Sequence, residues 1–403
     1  MNAPLASLLL LLTTALPHAQ DAARPKAMIE HTDTSIPFRS GTEGYHTFRI
    51  PALVRAADGN LLAFCEGRVD SHRDQGNIDI VMKRSTDEGR SWGALQLVQE
   101  EGGDARITIG NPVPIADTES GRIHLLFCRD NERVFHTWSD DHGKTWADRR
   151  EITDSVKKPD WNWVATGPGG GIQLQGGRQA GRLVVACDHT VGDKKRGWPF
   201  GAHAMVSDDR GATWRIGAVA DGEVRADGQP IGFQSNENAP LEMHTGRIDG
   251  NSRLYFTFRN QNGQPGKTAR GEGWSLDGGE TYTDPAIRVN AAIVSPIAHA
   301  SIVHLREKRL GDRQDMIVLS APNHPIAPGK DRVRMSLWLS RDGARSWSEP
   351  LLVHDGPSVY SQLIRLKNGD LGILFENGDA GLYERISFCR IPYEALATRD
   401  KER

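Results

Sequence analysis

Arg49, Arg259 and Arg332 lie far apart in the chain, and each stands at the edge of a short segment with strand-like patterning. An arginine offers a planar fork of N–H donors that holds a carboxylate through two parallel charge-assisted bonds. Three such groups at one opening would repel one another unless an anion sat between them. Comparable strand ends and loops carry Tyr360, Arg68 and the carboxylates Glu66, Asp74, Glu237 and Glu376. The implied ligand is a small carboxylate, with Glu376 available to steady one arginine when the site is empty. The formal net charge of −3 over 403 residues argues against a general nucleic-acid or membrane-surface binder. Anion recognition must therefore come from a few placed cations. His46, His136, His189 and His299 show no ligand spacing, so no catalytic metal and no cofactor are expected.

Strand parity is what would bring these residues together. In an antiparallel four-stranded sheet, the start of the first strand, the end of the second and the start of the third share one face. Arg49 begins a first strand, Glu66 and Arg68 end the second, and Asp74 lies in the loop to the third. Further along, Asn236-Glu237-Asn238 opens a first strand and Arg259 closes a second. Arg332 starts a third strand, while Tyr360 opens a first strand and Glu376 closes a second. All of them project onto one rim.

Internal repeats supply the sheets. A motif read as Ser-x-Asp-x-Gly-x-Thr/Ser-Trp/Tyr recurs at Ser85–Trp92, Ser139–Trp146, Ser207–Trp214, Ser275–Tyr282 and Ser340–Trp347, with starts 54, 68, 68 and 65 residues apart. Asp and Ser can bond the turn backbone, glycine supplies a positive φ, and the aromatic ring packs back onto the sheet. These turns report architecture and carry no chemistry. Apolar strands such as Leu61–Glu66, Leu183–Asp188 and Leu371–Glu376 follow glycine turns, and helical periodicity is nearly absent. Together with 43 Gly, 21 Pro and 10 Trp, the pattern predicts an all-β fold, a six-bladed β-propeller of four-stranded antiparallel blades. Five blades carry the marked turn. The sixth runs from Ser358 to Cys389 and is closed by N-terminal strands.

The propeller is expected over residues 28–395, with a tail at 396–403. Residues 1–20, with an apolar run at Leu8–Leu12 too short to span a bilayer, read as a secretory signal, and a secreted or periplasmic location follows. Cys65, Cys128, Cys187 and Cys389 each sit in an apolar run and read as buried thiols in separate blades, although an export compartment would permit a bridge.

Phe48-Arg49-Ile50-Pro51, the five turns (known as Asp boxes) and the order of the rim residues resemble the bacterial sialidases, or neuraminidases, from about Tyr45 to Cys389. The resemblance implies an exo-α-sialidase that hydrolyses terminal sialic acids of glycoproteins, glycolipids or oligosaccharides with retention. Arg49, Arg259 and Arg332 would bind the substrate carboxylate. Tyr360 would be the nucleophile, Glu237 its base and Asp74 the acid/base, with Glu376 orienting Arg49 and Arg68 lining the pocket. Tyrosine suits a sugar whose anomeric carbon bears a carboxylate, because its hydroxyl approaches without like charge; sialidases are the known exception to two-carboxylate glycosidase chemistry.

Some assignments stay open. Glu242 competes with Glu237, because Pro240 and an insertion at Arg247–Ser252 lengthen the path to Arg259, and Asp70 and Asp79 compete with Asp74. Arg334 adds charge beside the third arginine. Trp161, Trp163 and Gly167–Gly171 form a loop that could shape an N-acyl pocket, and Trp198 could serve as an acceptor platform in a transferase. A hydrolase or transferase for a related keto sugar acid, or a non-catalytic sialic-acid-binding propeller, are the competing readings. The expected partner is a sialylated glycan; oligomeric state is open.

Overall fold

Each repeat pairs with its own sequence neighbours before the chain moves on, so the molecule is built of consecutive antiparallel sheets. The structure is a computed structural model describing residues 29, 33–192, 199–221, 223–226, 229–262, 268–324 and 332–397. The expected signal at 1–20, Trp198 and most of the expected C-terminal tail lie outside these residues.

The first blade comprises Thr47–Arg55, Leu61–Arg68, Ile78–Ser85 and Gln96–Gln99, paired in that order. The second comprises Ile109–Ala116, Ile123–Arg129, Arg133–Ser139 and Arg150–Glu151. Trp161–Thr166, Leu183–Val191, Phe200–Ser207 and Arg215–Ala220 form the third, with Ile172–Gln173 as an added short strand. The fourth contains Asn238–Ile248, Asn251–Phe258, Ala269–Ser275 and Arg288–Val294. A two-stranded ribbon, Glu223–Ala226 with Gln229–Gln234, lies between the third and fourth in sequence.

The rest of the propeller corrects the expectation of six separate blades. Ser301–Arg306, Met316–Pro322, Val333–Ser340, Leu351–Arg365, Leu371–Asn377, Arg385–Ile391 and Asp33–Arg39 form one seven-stranded sheet. The cause is the 15-residue strand Leu351–Arg365. Its first half pairs with Val333–Ser340 and its second half with Leu371–Asn377. Four blades therefore stand as sheets of their own, and two repeats are fused through a shared strand.

Apolar side chains fill the spaces between successive sheets. Leu62, Phe64 and Met82 of the first blade meet Ile123, Leu125 and Phe127 of the second. The last such layer joins Phe38, Leu374 and Phe388 to Leu61, Ala63 and Val81 of the first blade, which closes the ring. A second strand is thus covered on both sides, and every residue of Leu61–Arg68 is buried. This is why those strands read as continuous apolar runs rather than alternating ones. Each fully buried Phe contributes about 1.5–3 kcal/mol, so these layers are the main source of cohesion.

The Asp boxes occupy the face opposite the rim residues. In the first, the Asp87 carboxylate accepts from Ser91 N at 2.9 Å, Ser91 Oγ at 2.6 Å and Ser85 Oγ at 2.8 Å. The fourth and fifth motif residues both adopt positive φ, from Glu88 (61°) and Gly89 (81°) to Gly343 (75°) and Ala344 (65°). The fifth copy departs from the pattern as read: its glycine stands one place earlier, and Ala344 takes the left-handed position. At Gly89 no side chain fits, because a Cβ would fall 2.1 Å from the Phe388 ring. All four cysteines are buried and free.

Candidate active site

Arg49 reaches the channel mouth through a distortion of its own strand. Register with the second strand shifts between Arg49 and Ala52, and Ile50 takes φ 59°. That conformation is strained for a β-branched residue, and bulges of this kind re-aim neighbouring side chains. Glu376, fully buried, holds the distortion in place. Its Oε1 accepts from Ile50 N at 2.7 Å and from Arg49 Nε at 3.2 Å, while Oε2 accepts from Tyr360 N at 3.1 Å. One carboxylate thereby pairs with Arg49 and ties the first blade to the strand bearing Tyr360.

Tyr360, only 5% exposed, donates through Oη to Glu237 Oε1. Arg259 Nη1 donates to both members, at 2.7 Å to Glu237 Oε2 and 2.8 Å to Tyr360 Oη. Glu237 is aimed by its neighbours. Asn236 Nδ2 donates to Asp188 Oδ2 at 2.6 Å, Asn238 Nδ2 to the Cys187 carbonyl at 2.8 Å, and Arg259 N to the Glu237 carbonyl at 2.8 Å. Asparagines on both sides thus grip the third blade and leave the glutamate between them facing the tyrosine. Burial, reinforced by the Glu237 charge, pushes the Tyr360 hydroxyl far above the usual tyrosine range. Burial also acts to raise Glu237, but the Arg259 guanidinium leads a set of interactions that outweighs it and holds the carboxyl below its ordinary value. The resting pair is a neutral tyrosine against an ionised glutamate.

A second corner lies around Arg68 and Asp74. Arg68 is buried on the second strand, bonded by Nε (3.0 Å) and Nη2 (2.6 Å) to Glu66 Oε2. Its Nη1 reaches the His72 carbonyl at 2.6 Å and Asp74 Oδ1 at 2.9 Å. The same Asp74 oxygen accepts from Arg49 Nη1 at 3.1 Å. The Asp74 side chain stands in the mouth, 70% exposed. Burial of its surroundings acts upward, yet Arg49 and Arg68 outweigh it and hold the carboxyl below the usual range. Arg332 completes the ring of cations. Its Nε donates to the Ile297 carbonyl at 2.9 Å, and its Cζ lies 5.8 Å from the Tyr360 ring centroid.

The competing carboxylates are placed elsewhere. Glu242 accepts from Gln175 N at 2.6 Å and Gly176 N at 3.0 Å, which fixes a turn of the third blade. Asp79 accepts from Tyr45 Oη at 2.8 Å, and Asp70 is exposed. Arg334 faces Asp355 at 3.4 Å. Trp161 is core, stacked 3.7 Å from His189. The glycine loop serves the channel: Gly170 N donates to Gln362 Oε1 at 2.9 Å, and a Cβ on Gly169 (φ 98°) would meet Gln362 at 2.6 Å and His299 at 3.0 Å. Glu66 was placed on the rim from sequence but given no role, and Asp188 and Tyr383 were not singled out. Tyr383 follows a second strand and so obeys the rim parity, which could have found it; Asp188 ends the apolar run read from sequence and stands within the second strand Leu183–Val191.

The structure is a β-propeller that brings three arginines, a buried tyrosine–glutamate pair and an exposed aspartate together at one mouth. The chain belongs to the BNR repeat-like domain family, whose sequence model matches residues 59–373. It is similar to the sialidase of Micromonospora viridifaciens, at 29% identity over 87% of this chain, and spans about half (53%) of that protein's length. It is also similar to sialidase-3 of Mus musculus, at 27% identity over 88% of this chain and 93% of the relative. Among solved structures, the Hadza microbial sialidase Hz136 superposes with a TM-score of 0.73 at 26% identity, covering 90% of this chain and 69% of the other.

Proposed function

We propose that the protein is an exo-α-sialidase that releases terminal sialic acids from sialylated glycans with retention through a covalent tyrosyl intermediate. The observation that carries this reading is the Tyr360–Glu237–Arg259 cluster within the arginine ring. Arg49, Arg259 and Arg332 hold the sugar carboxylate. The Tyr360 oxygen attacks the anomeric carbon as Glu237 accepts the phenolic proton, and Asp74 donates a proton to the departing glycosidic oxygen. Water then attacks the same carbon, giving its proton to Asp74. The C–O bond to tyrosine breaks, and Glu237 returns the proton to Tyr360. Glu376 orients Arg49, and Arg68 lines the pocket and holds Asp74.

The test is hydrolysis of 4-methylumbelliferyl N-acetyl-α-neuraminide followed by proton NMR. The α-anomer is expected as the first sugar released. A β-anomer first would overturn the two-displacement mechanism, and no release by folded protein would overturn the activity.

We further read the seven-stranded sheet as two blades sharing Leu351–Arg365, which gives six blades within a single domain over residues 28–395. The apolar layers support this, because Val318 and Leu337 pack with Ile373 and Cys389 in one cluster, as residues of successive blades do elsewhere in the ring. No helix among the described residues is long and apolar enough to cross a membrane. The apolar N-terminal run supports export to a secreted or periplasmic location.

A further inference from the structure

The three arginines of the clamp come from different blades, and like charges at such short range need something between them. Arg49 has Glu376 behind it and Arg259 has Glu237 beside it. Arg332 has a backbone carbonyl, the Tyr360 ring 5.8 Å from its Cζ, and the hydroxyl of Tyr383 at 3.4 Å from its Nη1, with no paired carboxylate among the described residues. The ring of the same tyrosine lies under Arg49, with Cζ 4.2 Å from its centroid. Tyr383 therefore meets two arginines at once, one through its π face and one through its oxygen.

Its mounting suits that position. Tyr383 sits in the loop between Leu371–Asn377 and Arg385–Ile391, and the next residue closes that loop on itself. The Glu384 carboxylate accepts from the backbone N–H groups of Asp379 (2.9 Å), Ala380 (3.1 Å) and Gly381 (2.6 Å). Ser40 Oγ adds a bond to the Tyr383 carbonyl at 2.7 Å. The ring also stacks on His72, at 6.2 Å and 27°, on the loop that carries Asp74.

We propose that Tyr383 is a positioning residue of the carboxylate clamp, setting the spacing of Arg49 and Arg332 so that both reach one ligand carboxylate. The proposal rests on the sialidase reading for the identity of the ligand, not for the arrangement itself. It acts on binding and not on the chemical step, so its loss weakens recognition of the negative charge and leaves turnover of bound substrate nearly intact.

The experiment compares wild type, Tyr383→Phe and Tyr383→Leu for binding of 2-deoxy-2,3-didehydro-N-acetylneuraminic acid and its methyl ester. Tyr383→Leu is expected to weaken the free acid roughly tenfold while leaving the ester within about twofold. Tyr383→Phe keeps the ring under Arg49 and is expected to fall between. In turnover, KM rises with little change in kcat. Equal weakening of acid and ester, or no weakening in folded Tyr383→Leu, overturns the proposal. If wild type binds neither compound, the sialidase reading falls. The crystal structure of unliganded Tyr383→Leu then decides: displaced Arg49 and Arg332 side chains support the proposal, and unmoved ones overturn it. The same structure decides if Tyr383→Leu is unstable in solution assays, with Tyr383→Phe as the substitute.

Discussion

The two sides of the site are built on different principles. Tyr360 and Glu237 are buried, Arg259 is nearly so, and each partner is fixed by bonds from neighbouring strands. Asp74 is mounted on the loop between Arg68 and Ile78, stands in the mouth and is held by Arg49 and Arg68. The buried side already has the protonation states its proposed roles require. The exposed side does not: Asp74 rests ionised, although an acid must be neutral to donate. It also engages Arg49 through Nη1, one of the N–H groups of the proposed carboxylate clamp. Fixed groups suit a nucleophile whose approach must be aligned, and a loop-borne group suits a proton carrier that must change partner and charge when substrate arrives.

Substitutions on the buried side should have the largest effect. Tyr360→Phe keeps the ring and removes the attacking oxygen, and kcat for 4-methylumbelliferyl N-acetyl-α-neuraminide should fall by about 10³-fold or more. Retention of a tenth of wild-type kcat would remove Tyr360 from the nucleophile's role. Glu237→Gln preserves shape but cannot accept the phenolic proton, and a loss of about 10²–10⁴-fold in kcat is expected, with little change in thermal midpoint. A collapse of folding instead would show that the carboxylate's first task is to neutralise buried Arg259.

On the exposed side the effect should depend on the leaving group. Asp74→Ala should reduce turnover of a sialyl-lactose by about 10²-fold or more, but turnover of the methylumbelliferyl glycoside by far less, because that phenol leaves without much protonation. The pH dependence carries a definite sign. The arginine contacts depress the Asp74 carboxyl, so they persist above the ordinary aspartate value, near 3.9, and are lost only as pH falls through the lowered one. Free enzyme with a protonated Asp74 therefore becomes more abundant as pH falls. For the unactivated substrate, kcat/KM should rise from about pH 8 toward about pH 5, and Asp74→Asn should flatten that limb. A wild-type profile that rises with pH over this range would break the contrast between the two sides.

The same contrast explains what could be read from sequence. Arg49, Glu237, Arg259, Tyr360 and Glu376 sit in or beside strands, where alternation fixes the direction of a side chain, and the structure brings them to one mouth. Asp70 and Asp74 could not be separated, because a loop has no period, and Asp79 one residue into the next strand competed with both; contact with Arg49 and Arg68 distinguishes Asp74. Glu242 competed with Glu237 because Pro240 and the insertion at Arg247–Ser252 lengthen the path to Arg259, but the two carboxylates serve different neighbours. Tyr383 follows a second strand and so obeys the rim parity, but nothing around Leu382-Tyr383-Glu384 signals a cation above the ring. The fused sheet was missed for another reason: strand patterning marks where a strand exists and is silent on whether one blade's last strand continues as the next blade's first.

The smallest effect belongs to the opposite face, where Asp87 serves as a probe of architecture without chemistry. Burial is the largest single influence on its carboxyl and acts upward, but bonds from the Ser91 side chain and backbone and from Ser85 together outweigh it and push the group down to about 2. For a depressed carboxylate the stabilisation is present above the ordinary value, near 3.9, and is lost as pH falls through the folded one, near 2. The turn is half-exposed, so solvent screens much of that shift, and Asp87→Ala should cost about 1 kcal/mol, the net worth of a hydrogen bond or so. Urea unfolding at pH 7 should register that loss, and at pH 2 the variant and wild type should lie closer together. Both kcat and KM should stay at wild-type values, because Asp87 is joined to the site only through the length of a well-packed blade. A drop in kcat with an unchanged unfolding midpoint would mean that the turns also transmit to the mouth, and the division between a structural face and a chemical one would have to be given up.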